Sequence, residues 1–336
     1  MGHRKIHGPK RGSLAYLPRG RAASLVGRIR YWPPVEEKPT ILAFFGVKAG
    51  MTHVLATDNR KGSMTFGKEV VIPATVIETP PVTVVGVRAY TESPNGMKSL
   101  GEAWSNNLPN DLGRALTIPK KSSTEDHLKK IEDSLEKIVQ IRVILATQPK
   151  LAKIGRKTPD VIEVKVGGSS IKECFDFAKN VLGKEMKFQD AFKEGQIVDV
   201  MAITKGKGIQ GPVKRWGVRK LFHKSRKRVR GVGTLGAWTP HYVMYSVPRA
   251  GQMGFHQRTE YSKQILKIGE KGVEITPKGG FIRYGIVGGG YVLLRGSVPG
   301  PLKRLVTVRR SARTSTLEGE TPKFEYVSLG SRRVEQ

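Results

Sequence analysis

Two glycine clusters have the spacing of a phosphate-binding site. Gly206, Gly208 and Gly211 follow the pattern Gly-x-Gly-x-x-Gly, and the same spacing returns within residues 231–236. In dinucleotide-binding enzymes this pattern follows a strand and opens a helix, and an acidic residue about 20 positions later binds the ribose. A chain that met these conditions would bind a nucleotide.

The residues around the first cluster do not meet them. The strand-like segment IVDVMAIT precedes the glycines, but Pro212 and Gly217 interrupt the residues that would form the helix. No Asp or Glu occurs between Asp199 and Glu260, so the ribose-binding acid is absent. Kinase, Walker A, His-Glu-x-x-His and Gly-x-Ser-x-Gly motifs are absent as well. We therefore expect these glycines either to form turns or to let the backbone approach phosphate groups closely.

Histidine and cysteine provide no better candidate for catalysis. His223, His241 and His256 have no carboxylate near them in the sequence that could form an acid–base pair. Cys174 is the only cysteine, which excludes an internal disulfide and a multi-cysteine zinc site. We predict a protein that is not an enzyme, with no catalytic residue, no metal site and no cofactor.

The charge of the chain predicts a polyanionic partner. Its 336 residues include 59 Lys or Arg and 28 Asp or Glu, for a net charge of +31. Residues 91–195 account for only +3 of this excess. Residues 1–35 contain eight basic residues and residues 200–259 contain thirteen, and neither stretch has an acidic residue. Nucleic acid is the first expectation and an anionic membrane surface the second, although no apolar run is long enough to span a membrane.

Aromatic residues distinguish the internal basic stretch from a disordered tail. Residues 200–259 contain two Trp, two Phe and two Tyr, whereas disordered basic tails are poor in aromatics. Basic residues interleaved with aromatics are typical of an ordered segment that contacts RNA. For Trp238, in the middle of the stretch, we expect a wedge or stacking contact with RNA, against the alternatives of a core residue or an incidental exposed aromatic.

The remaining patterns predict a mainly β protein with an α/β insertion. Short β-branched segments separated by Gly and Pro occur from residue 39 to 94 and again after residue 191, as in a barrel or sandwich. Residues 95–190 alternate helical and strand patterns, with a helix start at Ser123, followed by Asp126 three residues later, and a helix that ends at Gly183. Residues 1–38 form a basic N-terminal arm and residues 210–258 a long basic central extension.

A longer pattern around the first glycine cluster resembles the signature of the large-subunit ribosomal protein L-three family. The segments GVKAGMT and AGQMG elsewhere in the chain are also similar to that family, and the N-terminal arm resembles its archaeal and eukaryotic branch. The residues that fill the signature, in order, are Phe192, Asp199, Ala202, Thr204, Gly206, Lys207, Gly208, Gly211 and Arg215.

The resemblance implies a six-stranded closed Greek-key barrel of the translation-protein type. The barrel would be built from residues 39–94, 191–209 and 259–336, the last including a C-terminal segment. It also implies a structural protein of the large ribosomal subunit in the cytoplasm, which binds rRNA near its 3′ end and helps to nucleate assembly. The central extension would reach toward the peptidyl-transferase centre, and ribosomal proteins L-fourteen and L-twenty-four-e would be neighbours.

Charge, aromatic interleaving and the resemblance together select the candidate RNA-binding residues. A free-standing RNA-binding regulator and a nucleic-acid-modifying enzyme remain alternative functions, and neither a membrane nor a small-molecule substrate is expected as a partner. The candidates are Arg4, Lys5, Lys10, Arg11, Arg19, Arg21, Arg28, Arg30, Lys205, Lys207, Lys214, Arg215, Trp216, Arg219, Lys220, Lys224, Arg226, Lys227, Arg228, Arg230, Trp238, Arg249, Gln252, His256 and Arg258.

Overall fold

The computed structural model describes the chain as two compact units. The described residues are 13–35, 38–60, 62–118, 123–152, 154–313 and 323–330. The larger unit comprises residues 25–202 and 258–336, and the smaller unit comprises residues 1–24 and 203–257, in each case over the described residues. Within the described ranges, no helix is long and apolar enough to cross a membrane.

Strands dominate the described residues. The helices are α1 (Thr124–Glu132), α2 (Ile171–Val181) and α3 (Pro212–Trp216). The strands are β1 (Thr40–Ile41), β2 (Ala43–Thr57), β3 (Glu69–Glu78), β4 (Val82–Ser93), β5 (Gly96–Trp104), β6 (Gln140–Thr147), β7 (Val161–Gly167), β8 (Glu185–Met186), β9 (Ile197–Ile203), β10 (Gly206–Gln210), β11 (Gly251–Gly254), β12 (Gln257–Gly269), β13 (Tyr291–Arg295), β14 (Leu305–Arg310) and β15 (Lys323–Val327).

The first sheet of the larger unit contains a ring of strand pairings. Its order is β14-β9-β12-β13-β3-β2-β15, and β14 also pairs antiparallel with the first part of β2. Six strands therefore follow one another around a ring, with β15 added beside the second part of β2. Alternate residues of β2 and β3 point into an apolar cluster that includes Val54, Ala56, Ile72 and Ala74, as the period of two in a β-strand requires.

The second sheet of the larger unit is where the sequence-based boundary needs correction. Its order is β1-β7-β6-β4-β5, and β8 pairs with β4. We placed residues 39–94 in the barrel, but β1 and β4 lie in this second sheet. The segment VTVVGVRAY is apolar enough for either sheet, because a strand's composition predicts burial and not which strands will pair with it.

Two helices cover strands of the second sheet. Leu128 and Ile131 of α1 are buried against β5, as the helical spacing predicted. The helix ends earlier than that spacing suggested, because Leu135–Lys137 form a 3-10 turn. The helix begins directly after its N-cap residue Ser123, as predicted, although the Ser123 side chain forms no cap bond. The second helix, α2, packs on β4, β6 and β7.

The smaller unit has little regular structure. Strands β10 and β11 pair antiparallel, and the five-residue helix α3 follows β10 directly. Pro212 is the first helical residue and Gly217 ends the helix with φ of 66°. Pro212 and Gly217, which made a long helix improbable from the sequence, therefore mark the two ends of a short helix. Residues 217–250, all described, contain turns and bends but neither a helix nor a strand.

Candidate nucleic-acid interface

The strand pair β10–β11 forms the base of the smaller unit. Gly206 lies opposite Gly254, and the register shifts by a bulge before Ile209 pairs with Gln252. Gly254 has φ of 73°, and a Cβ added there would overlap the carbonyl oxygen of Lys205. Only glycine allows the two backbones to approach this closely. Gly254 therefore serves backbone packing within the protein, whereas no heavy atom lies within 4 Å of a Cβ added at the motif residues Gly208 and Gly211.

His256 joins this strand pair to the N-terminal arm. Its ring Nδ1 lies 2.8 Å from the carbonyl oxygen of Gly20, and its Nε2 lies 3.0 Å from the backbone nitrogen of Gly254. A carbonyl can only accept and an amide can only donate, so Nδ1 carries the proton and Nε2 accepts. The backbone N–H of His256 donates to the hydroxyl of Thr204 at 3.1 Å. His256 is buried, and its ring is fully used in holding these segments together.

An aromatic–guanidinium stack holds α3 against β11. The guanidinium carbon of Arg19 lies 3.7 Å from the ring centroid of Trp216, and that of Arg215 lies 5.3 Å from it. The indole N–H of Trp216 donates to the carbonyl of Arg249 at 2.9 Å. Arg215 donates to the carbonyls of Gln252 at 2.9 Å and Arg249 at 3.1 Å. Arg19 donates to the carbonyl of Arg215 at 3.1 Å, so the arm and the helix are joined directly.

Most of the remaining cations of the smaller unit are exposed. They lie on irregular backbone, on β10 or, in the case of Lys214, on α3, and the sequence provides no acidic side chain anywhere within residues 203–257. The exposed Lys and Arg side chains described in this unit are Arg21, Lys205, Lys207, Lys214, Arg219, Lys220, Lys224, Arg226, Lys227, Arg228, Arg230 and Arg249. A surface with this many exposed cations and no carboxylate within residues 203–257 can bind a polyanion.

Large aromatic side chains accompany these cations on the surface. Trp238 is 86% exposed, and its ring meets that of His241 edge-on at 5.8 Å between centroids. Phe222, Tyr242 and Tyr245 are also exposed. Exposed aromatics of this size on a basic backbone provide stacking surfaces for bases. The structure therefore excludes a core position for Trp238.

The candidate residues fall into distinct groups. Arg4, Lys5, Lys10 and Arg11 lie outside the described residues. Three others, Arg28, Arg30 and Arg258, belong to the larger unit. The stack and the histidine contacts bring together the remaining non-exposed candidates, which are Arg19, Arg215, Trp216, Gln252 and His256.

Sequence reasoning did not select several exposed apolar residues of the smaller unit as site residues. The aromatic residues Phe222, Tyr242 and Tyr245 served only as evidence that residues 200–259 are ordered. Ile209 on β10, which is 79% exposed, was not among the candidates. Their aromatic and apolar character amid basic residues was the available signal for the first three. No signal marked Ile209, because an isoleucine in a strand normally predicts a buried position.

The acidic residue of the signature has a structural role in the larger unit. Asp199 is fully buried and forms an ion pair with Arg309 at 2.5 Å. Its carboxylate also accepts the backbone N–H groups of Ser262 at 3.1 Å and Ala312 at 3.0 Å. Arg309 in turn donates to the carbonyl of Tyr31 in the arm at 2.6 Å. This acid therefore joins β9 to the segments around it.

Comparisons with known proteins agree with the signature. The family model described as Ribosomal protein L3 matches residues 1–332. Large ribosomal subunit protein uL3 of Archaeoglobus fulgidus is 50% identical over 333 residues, which cover 98% of this chain and 99% of the relative. The uL3 protein of Pyrobaculum calidifontis is 53% identical over 315 residues, covering 92% and 93%. That of Methanothermobacter thermautotrophicus is 46% identical over 332 residues, covering 97% and 98%.

The match extends over both units, and the relatives are of nearly the same length as this chain. The basic, acid-free stretch and the signature around β9 and β10 lie inside it. This chain belongs to the ribosomal protein L3 family.

Proposed function

We propose that this ribosomal protein of the large subunit is a primary rRNA binder near the 3′ end of the large-subunit rRNA and helps to nucleate subunit assembly. The observation that carries the proposal is the exposed, acid-free surface of the smaller unit. Thirteen Lys or Arg in residues 200–259 lack any acidic neighbour within that stretch, and phosphates would supply the missing counter-charge. The position near the 3′ end and the nucleating role come from the family resemblance.

Residues 210–258 are proposed to reach toward the peptidyl-transferase centre. Folded as two arms, this segment spans at most about 80 Å at roughly 3.3 Å per residue. Trp238 lies near its midpoint and is almost fully exposed, which supports a contact with a base at the tip. The irregular backbone of residues 217–250 would follow rRNA and take its packing from it.

The candidate residues divide into two proposed roles. The exposed cations of the smaller unit, together with Arg28, Arg30 and Arg258 of the larger unit, would contact phosphates. The buried and half-buried group around Trp216 and His256 would position those cations, because its polar atoms already bind protein backbone. We extend the phosphate-binding role to the four basic residues within 1–12 on their charge alone.

The finer fold and partners are also proposals. The ring of six paired strands supports a closed Greek-key barrel of the translation-protein type. We retain residues 1–38 as the arm and 210–258 as the extension, and we propose that the insertion sheet includes β4. Ribosomal proteins L-fourteen and L-twenty-four-e are the proposed neighbours, and the absence of acid–base and nucleotide motifs from the sequence supports a non-enzymatic role.

Tethered cleavage of rRNA tests the position of the extension. The single cysteine, Cys174, is replaced by Ala, and one new cysteine is introduced at Ala237, beside Trp238, to carry an iron chelate that generates hydroxyl radicals. The matched control carries its cysteine at Met97 on β5, an exposed position of the larger unit. We expect the probe at residue 237 in purified large subunits to cleave nucleotides of the peptidyl-transferase centre and the control to leave them intact.

Two results would contradict the proposal. Cleavage from residue 237 only at nucleotides remote from that centre would refute the reach of the extension. A protein that fails to sediment with the large subunit in stoichiometric amount would instead support a free-standing RNA-binding regulator.

A further inference from the structure

The second half of β2 and the strands on either side of it expose an apolar outer face. Along β3, Ile72 and Ala74 point into the core, whereas Val71, directly before Ile72, points outward and is 60% exposed. The same alternation on β2 buries Val54 and Ala56 and turns Leu55 outward. The face is thus opposite to the apolar cluster inside the ring of strands.

The strand register aligns three apolar side chains across this face. Leu55 lies opposite Val71 on β3 and opposite Tyr326 on β15. Directly opposed residues point to the same side of a sheet, with Cβ atoms about 4.5–5.5 Å apart. Tyr326 is 56% exposed, so the row ends in an accessible aromatic ring. We call Leu55, Val71 and Tyr326, with the next row at Thr57, the outer β2–β3–β15 face.

The row next to these apolar residues is acidic on balance. Thr57 lies opposite Glu69 and Lys323, and its hydroxyl donates to the Glu325 carboxylate at 2.8 Å. Two carboxylates and one ammonium border the apolar row, in a chain with a net charge of +31. These carboxylates provide partners for cations, in contrast to the acid-free surface of the smaller unit.

The loop that joins β2 to β3, directly after Thr57, is held in one arrangement by hydrogen bonds around Asp58. Asp58 is buried, and its carboxylate accepts from the guanidinium of Arg60 at 2.8 and 2.7 Å and from the hydroxyls of Ser63 at 2.9 Å and Thr65 at 2.6 Å. The Arg60 guanidinium holds the pKa of Asp58 well below its usual range. A surface that needs no rearrangement loses less conformational entropy on binding a partner.

We propose that the outer β2–β3–β15 face binds a second ribosomal protein, through a segment of it that carries apolar and Lys or Arg side chains. The apolar row would pack against the apolar side chains of that segment, and Glu69 and Glu325 would pair with its cations. The inference rests on the proposed function, since it requires the chain to lie among other proteins in the large subunit.

A photocrosslinker in place of Tyr326 tests the identity of the occupant. Large subunits that contain the variant are purified, irradiated and analysed by mass spectrometry and by primer extension on the rRNA. We expect a crosslink to a basic ribosomal protein. Crosslinks to rRNA, or none, in subunits that contain the variant would overturn this inference alone. Absence of the wild-type chain from the subunits would overturn the proposed function and this inference with it.

Substitutions at Val71 provide a second, independent measurement. Val71→Glu would place a third carboxylate in the face, opposite the apolar side chains of the partner, and Val71→Thr is the matched control of similar shape. Because Val71 is exposed, neither change disturbs the core. After a salt wash we expect retention of the crosslinked protein to fall at least about tenfold for Val71→Glu and to stay near wild type for Val71→Thr. Equal retention in the two variants would refute the docking role.

Discussion

Gly254→Ala is expected to separate strands β10 and β11 of the smaller unit. Gly254 has φ of 73°, a conformation that costs a residue with a Cβ about 1–2 kcal/mol. The added methyl would also overlap the carbonyl oxygen of Lys205, which is rigid backbone. Relief of that overlap requires the two strands to separate at the bond from the Phe255 N–H to Lys205, now 3.1 Å. It also weakens the bond from the Gly254 N–H to His256.

Gly208→Ala is the matched control for the cost of placing a Cβ on left-handed backbone. Gly208 has φ of 65°, and no heavy atom lies within 4 Å of the position its Cβ would take. The control therefore carries the cost of the left-handed conformation without the overlap. Each weakened hydrogen bond contributes about 0.5–1.5 kcal/mol. The two bonds together make Gly254→Ala costlier than the control by about 1–3 kcal/mol.

Native-state hydrogen exchange on the RNA-free protein measures this difference. The amides of Thr204 and Phe255 report on the strand pair, because each donates to backbone across it, to His256 and Lys205 respectively. An excess of 1–3 kcal/mol corresponds to exchange roughly 5–150-fold faster in Gly254→Ala than in Gly208→Ala. Equal acceleration in the two variants would show that the Lys205 carbonyl moves away without cost, and the reasoning from close approach would be wrong.

Two further outcomes are expected. Trp238→Ala should change the free energy of unfolding of the free protein by less than about 0.5 kcal/mol, because the side chain is 86% exposed. In large subunits that contain this variant, the chemical reactivity of nucleotides at the peptidyl-transferase centre should change. Lower stability with unchanged reactivity would contradict the proposed stacking role. If about 6–10 cations contact phosphate, the affinity for RNA should fall by a factor of about 10³–10⁵ between roughly 50 and 200 mM salt, which filter binding can measure. A flat salt dependence would argue against a phosphate interface.

Local features of the fold were predictable because their physical causes are local. Short β-branched segments between Gly and Pro predicted strands where β2 and β3 lie, and helical spacing placed Leu128 and Ile131 on the buried side of α1. The sequence did not predict α3, but its limits at Pro212 and Gly217 have local causes, since one residue lacks an N–H and the other tolerates the left-handed conformation.

The candidate site was predictable as a surface but not in its internal arrangement. Charge sign and aromatic content depend on composition, so the exposed cations and Trp238 could be selected without coordinates. Trp216 has the same composition around it, yet it is buried beneath the guanidinium of Arg19, a residue 197 positions earlier in the sequence. Nothing local separates an aromatic that stacks on RNA from one that stacks on an arginine of its own chain.

The sequence by itself determined the family, the mainly β composition and the concentration of positive charge in residues 200–259. Only the tertiary structure assigned β4 to the second sheet, joined His256 to Gly20 across 236 positions, and aligned Leu55, Val71 and Tyr326 on one face. The physical reason is that strand pairing and side-chain stacking depend on which distant segments meet. The local periodicity of a sequence indicates whether a residue is buried, but it does not indicate which distant residues bury it.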